Sequence, residues 1–439
     1  SNTAQGGGFF VTGGAVTIDA STVNNNLAKT GGGGLYQSSG SLTITNTTTI
    51  AANTTITGAG GGLAVISGTV TVHNSQVNAN SAYGDGGGLY APGGQVRVLN
   101  STFSGNAIQY DISNLEITTN ALPVARGGAI YVDGTNVIID NSTFTNNSAQ
   151  MGGGGIYAKT LFAHVATSDL TGNDGGRGAG GAAYLAADLV EVLENTIDGN
   201  ETAGNGGGLA IEDSDASKIV SNTLTNNTVR QDIVITSTVL TENIVIQQTG
   251  QIIKPAGSVV TGQDETEGTG GGIHVVRSTG IFTGNFILRN ENASGEGGAL
   301  YFSSSTITMT NNVVAQNSIA LSSTYASGLY VNNTKLSLVH NTIADNKNTS
   351  TDAGANNVAI YITKSQEESS AVSMVNNIIT GHQTGALLLT GNTAALANNL
   401  FNNTDENWGG PVEYQPASGN KVSRHSARPA SRISASSPA

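Results

Sequence analysis

The chain has no cysteine, little charge and few aromatic residues. The missing cysteine removes any disulfide framework; it suits an exported bacterial protein without identifying a compartment. Charged residues make up 11% of the chain, and 30 acids against 17 Lys and Arg leave a net charge of −13. A nucleic-acid groove needs a basic stripe, so nucleic acid is excluded as a partner. No apolar run approaches the roughly 18 residues of a spanning helix, which leaves nothing to cross a bilayer. Aromatics at 5% are poor material for a helical core. Asn, Thr, Ser and Gly also compete with helix for backbone hydrogen bonds or lose too much backbone entropy.

What the chain does have is 60 glycines and a period. Residues 141–157 hold two motifs, an apolar residue followed three later by Asn (Phe144, Asn147) and a glycine cluster followed by aliphatic-Tyr (Gly155, Ile156, Tyr157). The first motif places Asn26, Asn53, Asn80, Asn106, Asn147, Asn173, Asn200, Asn227, Asn290, Asn317, Asn346 and Asn403 in one series, with His382 in an Asn place. Most steps are 26 or 27 residues, interrupted by steps of 41 and 63. The aliphatic series runs Phe9, Leu35, Leu63, Leu89, Ile130, Ile156, Ala183, Leu209, Ile273, Leu300, Leu329, Ile360 and Leu387. Ile235 counts as a further copy without glycine, for about fourteen rungs. Such a period identifies a repeat architecture.

A rung of 26 or 27 residues is too short for a strand-helix-strand unit and suits three short strands with three turns. Leu89-Tyr90-Ala91 and Lys335-Leu336-Ser337-Leu338 alternate as strand geometry requires. The expected fold is therefore all-β, a single-domain right-handed parallel β-helix over residues 1–419, with a basic Ser/Ala/Pro-rich tail or cap at 420–439. Stacking puts the Asn series in a buried ladder, a structural role that satisfies each amide by repetition. The glycines mark a sharp corner. A phosphate-cradling loop would be followed by a helix, and here a strand follows.

Gly127-Gly128-Ala129-Ile130 and Gly297-Gly298-Ala299-Leu300, with Phe103-Ser104-Gly105-Asn106 and Phe144-Thr145-Asn146-Asn147, resemble the paired GGA-aliphatic and FxxN signatures of polymorphic outer-membrane proteins. More broadly they are similar to bacterial surface proteins with right-handed β-helix repeats. The resemblance spans roughly residues 6 to 410. It implies a β-helix displayed or secreted at the cell surface, often as an adhesin passenger.

Departures from the period are the places to look for function. Insertions at Ala107 to Arg126, around Lys254 to Thr269, and at Lys347 to Asn357 fall in one turn, hence on one side of the rod. Lys364 to Ser370 reads as solvated surface. Tyr90, Tyr131, Tyr157, Tyr184, Tyr301 and Tyr330, with Tyr36 and Tyr361, share the position after the aliphatic residue, as do Phe10 and His274. With the aliphatics inward, these make an aromatic column on the outside of the rod, whose rings either stack so as to shield the sheet or offer exposed faces suited to sugar rings or a flat partner surface. No cofactor is expected. Calcium is the one ion with candidate ligands, at Asp188, Glu212, Asp213 and Asp215, and less favourably at Asp264-Glu265-Thr266-Glu267. Sequons such as Asn100-Ser101-Thr102 and Asn141-Ser142-Thr143 follow from composition.

A β-helix glycoside hydrolase needs convergent carboxylates. Asn403-Thr404-Asp405 echoes one hydrolase motif, but the paired Asp and following basic motif are missing, and Gly381-His382-Gln383 falls in the wrong order. The expectation is thus no enzyme. It is instead an extracellular or cell-surface rod, an adhesin or display element binding glycan or a surface protein through the inserted loops or the tyrosines. A polysaccharide lyase or hydrolase is the alternative. A filament subunit joining copies of itself end to end through open edges at Phe9-Phe10-Val11 is the other. The chain opens partway through a repeat, as expected of a processed or excised segment.

Overall fold

The computed structural model describes residues 4–109, 124–231, 268–320, 325–351, 355–364 and 368–409, with the short strands Ile233–Ile235, Val245–Ile246, Ile252–Ile253, Gln263–Glu265 and Lys421–Val422. Most of the inserted segments, the candidate ion site at Asp264-Glu265-Thr266-Glu267 apart from its strand backbone at Gln263–Glu265, and the tail beyond Val422 lie outside the described residues. No helix occurs among the described residues, and none is long and apolar enough to cross a membrane.

One turn illustrates the rest. Leu209–Glu212 forms the first strand, Ala216–Val220 the second and Thr223–Thr225 the third. A two-residue strand, Thr228–Val229, follows the Asn corner and adds a fourth side that the three-strand reading lacked. All these strands pair in parallel with their counterparts one turn away. The pairing is continuous from Phe9↔Leu35 to Ile360↔Ala386, with one register shift between Ala326 and Leu329, which makes thirteen levels and about twelve turns. At about 4.8 Å per level the rod is roughly 60 Å long.

Two details of the expected count change. Leu209 pairs directly with Ile273, so Ile235 is not a rung. It belongs instead to an antiparallel pair with Gln263–Glu265, inside the insertion. At the last level Ala386 takes the aliphatic place and Leu387 falls under Tyr361. Lys421–Val422, inside the stretch assigned to the tail, pairs with Leu400–Phe401 and continues the third sheet.

Alternation decides what is buried. In Lys335–Val339 only Leu336 and Leu338 point into the core, where they join Phe282, Phe302 and Met309. Corners need positive φ, which Asn adopts more readily than other side chains. Asn74, Asn100 and Asn141 do so at one corner, Asn25, Asn146 and Asn226 at the next. The sequon at Asn141-Ser142-Thr143 is such a corner: Asn141 turns the chain, Ser142 is buried and Thr143 opens the third strand.

Amide ladders fill the corners. Asn200 donates from Nδ2 to Asn227 Oδ1 at 2.9 Å and to the Leu170 carbonyl at 2.8 Å, while its own Oδ1 accepts from the Asn173 backbone and amide, both at 2.9 Å. The same bonds link Asn26, Asn53, Asn80, Asn106 and Asn147 below it, and Asn290, Asn317 and Asn346 above. His382 continues the column, its Nε2 accepting from the Asn346 backbone at 3.2 Å, and its backbone N–H donates to Asn403 Oδ1 at 3.2 Å. A second ladder, Asn195, Asn222, Asn285, Asn312, Asn341, Asn377 and Asn399, lines the preceding corner. Ser168, Ser142 and Ser101 extend it with hydroxyls. Sequence reading passed over this second series, although its 27-residue steps were visible.

At the glycine corner the backbones come too close for a side chain. A Cβ on Gly207 would overlap the Gly271 carbonyl and the Thr228 backbone. Gly207→Ala is expected to cost about 1 to 3 kcal/mol by overpacking, read as a lowered urea midpoint. An unchanged midpoint would show that the corner can yield.

Candidate functional site

The outward residue of the first strand builds one column along the rod. Period-two geometry turns it outward because its neighbours on either side, such as Ile130 and Val132, are buried. Tyr90, Tyr131, Tyr157 and Tyr184 occupy four consecutive levels, and His274, Tyr301, Tyr330 and Tyr361 four more. Ala64 and Ala210 interrupt the series.

The rings stack on one another, with centroids 5.3 Å apart for Tyr131–Tyr157 and 4.7 Å for Tyr157–Tyr184. Tyr301–Tyr330 and Tyr330–Tyr361 stack at 5.4 Å. Of the two readings of the column, the rings take the stacked one. Level spacing matches ring stacking, so each face is spent on its neighbour, and Tyr131 and Tyr157 keep only 7% exposure. What remains outside is the rim. The hydroxyls of Tyr90, Tyr131 and Tyr157 have no hydrogen-bond partner among the described residues, yet none is a sequestered polar atom. Burial pushes these hydroxyls, and that of Tyr184, above the usual phenol range, with nearby carboxylates adding to the effect at Tyr131 and Tyr184. They stay protonated and able to donate.

Charged side chains flank the rim. The Arg126 guanidinium lies over the Tyr157 ring at 5.2 Å, and the Arg126 backbone N–H donates to Asp85 at 2.7 Å. Burial raises the Asp85 carboxyl. Asp133 and Lys159, both exposed, are register neighbours two positions beyond Tyr131 and Tyr157.

Where Ala210 leaves out a ring, Glu212 reaches across. Its Oε2 accepts from the Tyr184 hydroxyl at 3.3 Å, its Oε1 lies 3.8 Å from His274 Nε2, and Arg277 Nη2 is 3.5 Å away. Arg277 also grips Asp213, Nε to Oδ1 at 2.5 Å and Nη2 to Oδ2 at 2.9 Å. Burial raises the Glu212 carboxyl, while the Arg277 hydrogen bond lowers that of Asp213. His274, fully enclosed and 2.6 Å from Thr269 Oγ1, is driven down to about 3 by burial and stays neutral.

The calcium ligands nominated from sequence do not assemble. Glu212 and Asp213 face a guanidinium, and Asp188 and Asp215 are exposed. Asp188 offers Ser214 only its backbone carbonyl. Among the described residues no three His, Cys, Asp or Glu side chains converge closely enough for a metal ion.

Two further ionic groups escaped sequence reading. On the second-strand face His164 sits between Glu191 (2.9 Å) and Asp140 (3.2 Å), with Lys218 at 4.0 Å from Glu191. Arg230 bridges Asp174 (2.9 Å) and Glu201 (3.2 Å). Counting residues by level rather than by motif would have found both. A shallow groove of about 450 Å³ lies on the second-strand face near the last levels, lined by Lys335, Ser337, Ala371, Ser373, Thr393 and Ala395 among others.

Residues 7–174, 104–258 and 231–404 match the family described as "Right handed beta helix region". No curated protein matches the chain. Among solved structures, the A-module of mannuronan C-5 epimerase AlgE6 from Azotobacter vinelandii matches over 94% of this chain and 92% of that one. It does so at 11% identity and a TM-score of 0.35.

Proposed function

The chain belongs to the right-handed β-helix family, and from that premise we propose that it is an extracellular or cell-surface rod that binds a polysaccharide lengthwise along its tyrosine row. The supporting observation is the run of hydroxyls at Tyr90, Tyr131 and Tyr157 that have no hydrogen-bond partner among the described residues, on rings that are almost buried at Tyr131 and Tyr157 and half-buried at Tyr90. Rigid stacked rings hold the donors at about 4.8 Å steps, so little side-chain entropy is lost on binding. A linear glycan carries hydroxyls at every residue and matches such a rail by its edge. Recognition is then by hydrogen bond, not by stacking on ring faces.

Tyr131→Phe and Tyr157→Phe remove the hydroxyl and keep the stack. Each is expected to weaken glycan binding by about 0.5 to 1.5 kcal/mol, measured by titration with the best ligand from a glycan array, with an unchanged melting temperature. Equal affinity in the double variant would rule out the rail, and so would an array with no bound glycan at all.

A further inference from the structure

We propose that the second-strand face is the interface of an antiparallel dimer, its partner a second copy of this chain. The inference is independent of the glycan reading, because the tyrosine row lies on the first-strand face and stays open.

The second-strand face changes character along the rod. With levels numbered from Phe9, its middle outward column carries hydroxyls at both ends. Thr17, Thr43 and Thr71 stand at levels 1 to 3, and Thr308, Ser337 and Ser373 at levels 10 to 12. Between them come Arg97, Ile138, His164, Glu191, Lys218 and Ile281, at levels 4 to 9. In the same stretch Leu161, Leu189 and Ile281 are 58, 40 and 54% exposed, with Phe162, Leu193 and Val220 half-buried beside them. An apolar stretch with a few fixed charges inside a polar border has the build of a contact surface.

The charges select the partner and its orientation. His164 is held between Glu191 at 2.9 Å and Asp140 at 3.2 Å, while Lys218, 55% exposed, reaches Glu191 only at 4.0 Å. A two-fold axis parallel to the strands, between levels 6 and 7, brings level 6 over level 7 of the second copy and level 5 over level 8. Glu191 then faces His164 of the second copy, and Phe162 faces Leu189. Lys218 comes over the level of Asp140, two residues away along the strand, where a long side chain can turn to it. At the ends hydroxyl meets hydroxyl, Thr17 over Ser373 and Thr71 over Thr308. A shift of one level sets Arg97 against Lys218 in one direction and Glu191 against Glu191 in the other. A parallel pair sets Glu191 and Lys218 each against itself. Like charges therefore penalise the other arrangements.

The area is sufficient. Overlap along twelve levels at about 4.8 Å, over strands about 16 Å wide, covers about 900 Å² per copy, against about 800 Å² in a specific interface of ordinary size.

The test measures the mass of the full chain by sedimentation from micromolar concentration up to the solubility limit. The expected result is a dimer whose dissociation constant rises about tenfold or more in Asp140→Lys and in Lys218→Glu, since each sets like charges face to face. Mixing the two variants in equal amounts should restore the dimer, because Lys at 140 then meets Glu at 218 while the other half of the interface keeps its native pair. Asp140 and Lys218 are 38 and 55% exposed, so both variants should fold, which melting curves check. Leu189→Ser alters no charge and should weaken the dimer as well. Phe286→Ser, on the exposed third-strand face, should leave it unchanged. A monomer at every concentration overturns the proposal. So does a dimer that ignores the two charge variants, a mixture that stays monomeric, or an association lost in Phe286→Ser.

Discussion

Asn200→Leu is expected to destabilise the rod by roughly 3 to 9 kcal/mol, since it orphans three buried polar groups at about 1 to 3 kcal/mol each. Those groups are the Asn173 backbone N–H, the Asn173 amide and the Leu170 carbonyl, all now paired with Asn200. Leucine matches asparagine in shape but offers neither donor nor acceptor. Because each level of a solenoid contacts chiefly its neighbours, the loss should be local first. Hydrogen exchange should quicken at Asn173 and the adjoining levels, and the urea midpoint should fall. Asn226→Gly is the control: Asn226 is an exposed corner residue at φ 54°, a conformation glycine adopts freely. Should the two substitutions cost the same, the ladder would be an ornament of the fold and not a source of its stability.

The second large effect is acid sensitivity. Burial lowers His382 to about 4, even though its hydrogen bond to Asn403 pulls the other way. Its neutral ring accepts from Asn346 through Nε2 and faces Asn403 Oδ1 with Nδ1, so protonation would put a donor against a donor. The unfolded chain takes up the proton near the ordinary value of about 6.5. Between about 6.5 and 4 the unfolded state therefore binds more protons, and stability rises with pH. The contribution is complete above the upper value, and on the order of 3 kcal/mol is lost as pH falls to the lower one. His274, lowered to about 3 beside Thr269, Glu212 and Arg277, acts in the same direction. Asp85 and Glu212, both half-buried, and the partly desolvated Glu201 are raised and oppose it, being more favourable to the fold when protonated. His382→Asn restores the ladder residue and should flatten the difference between urea midpoints at pH 7 and pH 4.5. An unaltered slope would assign the acid loss to other groups.

Much of this fold could be read in advance. The step from Asn147 to Asn173 to Asn200 set the level, and the inward series through Ile130 and Ile156 set the core, because alternation and corner conformation are local properties of the backbone. The site was less legible. Tyr131 and Tyr157 were placed in one column, but a column of rings reads the same in sequence whether their faces are free or spent on each other. In sequence Glu212 and Asp213 read as acids that suit calcium, since nothing near them in the chain announces Arg277, 64 residues beyond Asp213.

That distance marks the division. The amino-acid order alone determined the period, the buried and outward positions, and the glycine and asparagine corners, because each depends on a few adjacent dihedral angles and the size of a side chain. Only the tertiary structure decided that Leu209 lies against Ile273 and not Ile235, and that one guanidinium spans Glu212 and Asp213. Those contacts depend on how the chain closes around an insertion, and closure is set by pairing across levels, which no local pattern encodes.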